Sequence, residues 1–127
     1  MTYKSAWDLA SKNIFPLITG FNLNAAAGES TFTGLPAKYL VIGLRPFDAS
    51  GVPVLATAGL FTLTGGGGTA VVALATLTGL TAASKVSAMT IAVPADYQNA
   101  ATLFLRCGTA QGSALTASFQ LEILDLT

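Results

Sequence analysis

The sequence predicts an all-β protein: a single β-sandwich or jelly-roll-like domain of seven to eight strands with an N-terminal arm. Three observations predict it. From Thr31 onward apolar residues recur with a period of two. Clusters of Gly, Asp, Asn, Ser and Thr separate those runs at strand-length intervals. No segment sustains a helical apolar period beyond two or three turns. At 127 residues the chain holds one domain of ordinary size.

Residues 1–30 differ from the rest and are read as the arm, with the sandwich over 31–127. Ser5, Ala6, Trp7 and Asp8 match a capping box, which predicts a short helix over 5–12 with Tyr3 and Trp7 one turn apart. Pro16 and Gly20 interrupt the next stretch, although an eighth strand fits around 14–18. Asn22 to Ser30 is small and polar, and reads as a loop. Tyr3, Trp7, Phe15 and Phe21 crowd into this short segment, and they are the candidate partner-binding residues. The arm lies over a partner or folds back on its own domain.

The strands of the sandwich come next in chain order. Residues 31–33 form a short strand. In 39–47, Leu40, Ile42 and Leu44 alternate with Val41, Gly43 and Arg45. Two Thr-rich arms flank Gly65, Gly66, Gly67 and Gly68 and read as a hairpin. Met89, Ile91 and Val93 alternate with smaller residues before Pro94. Leu103, Leu105 and Cys107 share one face, with Phe104 and Arg106 on the other. The last strand is the clearest: Leu115, Ala117, Phe119, Leu121 and Ile123 alternate with Thr116, Ser118, Gln120 and Glu122, one buried face and one wet.

Charge bounds the function. Six Lys and Arg balance six Asp and Glu, and charged residues are 9% of the chain against the usual ~25%. A neutral chain lacks the clustered cations that phosphate backbones require, which excludes electrostatic nucleic-acid binding. With no histidine and one cysteine, neither a zinc site nor a disulfide framework can be built, and no cofactor is implied. Residues 51–84 carry no charge, yet the glycine run cuts them into arms too short for a membrane helix. No apolar signal region opens the chain, so synthesis and retention in a cytoplasm are expected. A surface this poor in charge has little repulsion between copies, and much of it is expected to be covered by other copies or by a partner.

The possible reactive groups are weak candidates. Gly65–Gly68 lead into Thr69, Ala70, Val71 and Val72 with no lysine, unlike a phosphate loop. Cys107 has no histidine to activate it and reads as a buried, inert thiol. Ser84 and Lys85 lie in a plain turn, and Asp96 and Glu122 belong to no carboxylate cluster. Tyr39, Phe47, Tyr97 and Phe104 are candidates for a sugar-stacking platform, but few polar partners accompany them and core packing explains them better. These residues predict no enzyme.

Three stretches carry a resemblance: Thr31, Phe32, Thr33, Gly34, Leu35, Pro36, Ala37, Lys38 and Tyr39; Ala58 to Thr62 with the glycine run and Thr69 to Ala73; and Ala101 to Arg106 running into Gly108 to Ala114. Across 28–127 the chain resembles small proteins encoded in the head-gene clusters of tailed bacteriophages, in its pattern of small residues and turns. The resemblance implies a virion structural protein of the capsid cement or decoration type, made in the host cytoplasm. Such a protein binds the major capsid protein outside the head, bridges its subunits and associates with itself, a homotrimer being expected at local threefold positions. Another virion component, of tail or neck, and a carbohydrate-binding module for host attachment are the alternatives.

Overall fold

The alternation at the end of the chain builds the centre of one sheet. β9 (Thr116–Asp125) buries Ala117, Phe119, Leu121 and Ile123 and turns Gln120 and Glu122 away from the core. Along one side it pairs with β4 (Tyr39–Phe47), and along the other with β1 (Asn13–Ile14) and β2 (Leu17–Asn22). β7 (Tyr97–Gln98) adds a short strand to the start of β4. The second sheet runs β3 (Glu29–Phe32), β8 (Leu103–Cys107), β5 (Thr57–Leu63), β6 (Gly67–Thr76). This is a computed structural model describing residues 12–77, 79–81, 85–92 and 96–127; among them are nine strands, all paired antiparallel, and no α-helix.

The two sheets share one apolar core, so the protein is a β-sandwich. Leu44, Phe119 and Leu121 from the first sheet and Leu60, Leu103 and Leu105 from the second are fully buried within it. On β8 the expected alternation holds residue by residue: Leu103, Leu105 and Cys107 point inward, while Phe104 and Arg106 lie on the outer face. The β5–β6 hairpin also forms, and its tip is a single 3-10 turn at Thr64–Gly66. Gly65, Gly66 and Gly68 there have φ of 73°, 76° and 67°, a region that side chains rarely enter.

Three expectations are corrected. Residues 13–30, read as arm, belong to the sandwich. β1 and β2 are edge strands on β9, β3 is the edge strand on β8, and Phe21, Leu23 and Phe32 are buried in the core. Pro16 does not prevent this, because its carbonyl still accepts from Leu121 N at 2.9 Å and an edge strand needs donors on one side only. The helix expected over 5–12 lies outside the described residues, apart from Lys12.

The alternation within β4 also shifts. Val41 stands opposite Ile123 and Gly43 opposite Glu122, which leaves Ile42 unpaired in a β-bulge. Tyr39, Val41 and Leu44 therefore point inward, and Ile42 is 46% exposed. The strand expected at Met89, Ile91 and Val93 is absent from its described part. There Ser87 N and Met89 N donate to Pro46 O and Leu44 O on β4, and Ala92 N donates to Val71 O on β6. The segment is a strap from one sheet's edge to the other's, so no single ladder organises it; Met89 and Ile91 still pack half-buried against the core.

Candidate interaction surface

Two of the four aromatics singled out from the sequence, Phe15 and Phe21, lie among the described residues, in different settings. Tyr3 and Trp7 lie outside the described residues. Phe21 is 6% exposed, and its ring packs edge-on against Phe119, so it has no face left for a partner. Phe15 is 49% exposed, between β1 and β2, flanked by exposed Ile14 and Leu17. The β1–β9 and β2–β9 ladders hold these three at the sheet edge while Ile18 and Phe21 enter the core. Beside them Leu17 stands in one row with the polar Gln120 and Arg45 on the outer face of the first sheet. Arg45 Nη1 meets Glu122 Oε1 at 2.9 Å, and its guanidinium lies over Gly43, where a Cβ would approach within 3.0 Å.

A second apolar surface escaped the sequence reading. In the loop between β4 and β5, Val52, Val54 and Leu55 are each more than half exposed. Ala49 and Ala56 are buried at its two ends. Ser50 N donates to Thr116 O at 2.9 Å, and Thr116 N donates to Ser50 Oγ at 3.0 Å. The carboxamide oxygen of Gln111 accepts from the backbone amides of Val54, Leu55 and Ala56 at 3.0, 3.0 and 3.1 Å. Gln111 is itself fixed by its backbone N–H, which donates to Leu23 O. Three amides turned onto one acceptor hold the side chains of Val54 and Leu55 toward solvent. The turn cluster Asp48, Ala49, Ser50 and Gly51 signals the loop in the sequence, but not its apolar surface; the role of Gln111, more than fifty residues away, has no local signature.

The other candidate groups are scattered or already occupied. Cys107 is fully buried; burial pushes its thiol pKa up, and its Sγ donates to Thr109 O at 3.4 Å. Glu122 is held by Arg45, while Asp96 stands exposed beside β7. Ser84 lies outside the described residues. The aromatics considered as a platform are dispersed. Tyr39 is buried, donates from its hydroxyl to Ala100 O at 2.8 Å, and has its pKa pushed up to about 12 by burial. Tyr97 is exposed on the first sheet under Lys38 Nζ, 4.3 Å from the ring centroid, whereas Phe104 belongs to the second sheet.

Glu29 draws several elements together. Its carboxylate accepts from Thr64 Oγ1 and, at 2.9 Å, from Gly65 N at the hairpin tip, and it faces Arg106 Nη1 at 3.6 Å. The Thr64 hydroxyl above all, with the Gly65 amide and the Arg106 charge, holds its pKa below the usual carboxylate range despite desolvation. This latch joins β3, β8 and the β5–β6 tip, so the glycine run is tied down as a structural turn.

Among the described residues no group of three or more His, Cys, Asp or Glu is placed to hold a metal ion, and no helix is long and apolar enough to cross a membrane. The arrangement offers apolar contact more than chemistry. No protein-family model matches the chain, and no curated protein is similar to it.

Proposed function

We propose that this protein is a structural component of a tailed-phage virion, a capsid cement or decoration protein that works by adhesion. It binds the outer surface of the head, contacts the major capsid protein and other copies of itself, and bridges neighbouring capsid subunits against the outward pressure of packaged DNA. A homotrimer suits the local threefold positions of a shell. The observation that carries this reading is the surface chemistry. Large apolar side chains stand exposed at the β1–β2 edge and the β4–β5 loop, while Arg45 and Arg106 are engaged by Glu122 and Glu29. Such a surface adheres through apolar and backbone contact, each buried large side chain contributing ~1.5–3 kcal/mol. The partner class is carried only by the resemblance read from the sequence pattern of residues 28–127.

The test is co-sedimentation of the purified chain with undecorated heads assembled from the major capsid protein encoded alongside it, with light scattering on the free protein. Saturable binding and a discrete oligomer are expected. A folded protein that stays in the supernatant at micromolar concentration overturns the reading.

A further inference from the structure

We infer that the tip of the β5–β6 hairpin is a flap, latched by ionised Glu29 over the outward-facing Phe61 and Phe104 and released when that carboxylate is neutralised. Such a flap is independent of the adhesive function proposed above.

Register places the aromatic pair and its cover. Phe61 stands opposite Phe104, and Phe104 opposite Thr31, in one row across β5, β8 and β3. Directly paired residues share a face, so Phe61 belongs with Phe104 on the outer side of the second sheet, away from Ala58 and Leu60 in the core. Yet Phe61 is only 7% exposed. Its ring leans over Gly59, where a Cβ would lie 3.0 Å from Phe61 Cε2. Glu29, Arg106 and Gly59 form a parallel row, two residues back along β5 from Phe61. The hairpin tip begins on the other side of Phe61, at Thr64. Nevertheless Thr64 Oγ1 and Gly65 N both donate to the Glu29 carboxylate, and a Cβ at Gly66 would lie 3.5 Å from Arg106 Cδ. Contacts between these two ends cross the Phe61–Phe104 row, so the tip and the two side chains roof it.

The latch depends on charge. Thr64 Oγ1, Gly65 N and Arg106 Nη1 converge on two carboxylate oxygens. Arg106 on β8 is the charged group facing Glu29; the tip presents a hydroxyl and an amide, neither of which titrates in acid. A carboxylate serves all three donors, whereas a neutral carboxyl has fewer acceptor sites and turns its own O–H toward a donor. Arg106 then lies under the tip without a counter-ion, and hydrating it requires the tip to lift. Gly65, Gly66 and Gly68 supply the hinge, because their positive φ values carry no steric penalty in glycine. The β5–β8 ladder does not involve Glu29 and stays paired. The closed flap is the neutral-pH state, and it opens as pH falls through the depressed Glu29 value.

The experiment follows amide exchange and aromatic ring signals by NMR in the full chain, in Glu29→Gln and in Thr64→Val. At neutral pH the Gly65 amide of the parent is expected to be protected. In Glu29→Gln it is expected to exchange about tenfold faster or more, as befits hydrogen bonds to a charged acceptor, while amides of β8 and β9 keep the parent's rates. Thr64 is exposed, so Thr64→Val is expected to fold as the parent does and to loosen the tip by a smaller factor. It decides the matter if Glu29→Gln does not fold. On acidification of the parent, the Gly65 amide and the rings of Phe61 and Phe104 are expected to shift together, in a transition that Glu29→Gln lacks. A Gly65 amide unprotected in the parent at neutral pH overturns the flap, as does one that stays as slow in the folded variants as in the parent. Acceleration as large in β9 as at the tip also overturns it, and makes the latch an ordinary structural ion pair. Ring signals that stay fixed while the tip amide shifts overturn the roof over Phe61.

Discussion

The ring of Phe21 meets the ring of Phe119 edge-on, with centroids 5.7 Å apart and planes at 89°. This contact fastens β2, an edge strand, to β9 at the centre of the first sheet. With the β1–β9 ladder it puts residues 13–30 inside the folded domain, which changes what an N-terminal deletion tests. Phe21→Ala is expected to cost about 3–5 kcal/mol, as for other buried phenylalanines, measured by denaturant unfolding. Deleting residues 1–24 removes β1, β2 and the buried Leu23, and is expected to unfold the domain. A folded 1–24 deletion would contradict the placement of β2.

The Glu29 latch has a definite pH signature. The folded-state pKa lies below the unfolded one, so the latch contributes its stability above the ordinary carboxylate pKa. That contribution is lost as pH falls through the depressed folded value. The difference in melting temperature between the parent and Glu29→Gln is therefore expected to be largest near neutrality and to shrink in acid. Parallel melting curves down to the acid limit would show that the latch is energetically silent.

Two glycines of the hairpin tip separate strain from crowding. A Cβ at Gly65 meets nothing within 4 Å, so Gly65→Ala carries only the conformational cost of φ 73°, about 1–2 kcal/mol. A Cβ at Gly68 collides with Thr62 Oγ1, the acceptor for Thr69 N. Gly68→Ala is expected to destabilise the protein more than Gly65→Ala by equilibrium unfolding. Equal costs would mean that Thr62 turns aside freely.

Cys107 is expected to react with a thiol reagent only as fast as the domain opens. It is fully buried on β8, between two other strands of its sheet, and its thiol is held protonated by desolvation. Cys107→Ala is expected to cost about 1 kcal/mol for one buried atom's worth of packing and to leave head binding unchanged. Labelling of the native protein within seconds would place the thiol at the surface.

Strand periodicity was readable where the physics is local. β8 keeps the two-residue alternation throughout and β9 keeps it except at Ser118, expected on the wet face but buried, because each strand lies between two neighbours and its side chains choose one face or the other. The glycine run marked its turn because only glycine enters those positive φ values without strain. These elements, with the absence of a helical period, are enough to set the class of the fold.

Pairing and phase belong to the tertiary structure. Whether residues 13–30 form an arm or edge strands depends on β8 and β9, which lie far along the chain and supply the ladder and the pocket for Phe21. The phase of β4 depends on the bulge at Ile42, set by where β9 places Ile123 and Glu122. Met89 and Ile91 have the right spacing for a strand, yet their segment's hydrogen bonds divide between two sheets. The conformation of the loop that exposes Val54 and Leu55 depends on Gln111, distant in sequence, which gathers its amides. Composition and period set the class of the fold; long-range hydrogen bonds, which no local pattern encodes, decided which apolar residues became core and which became surface.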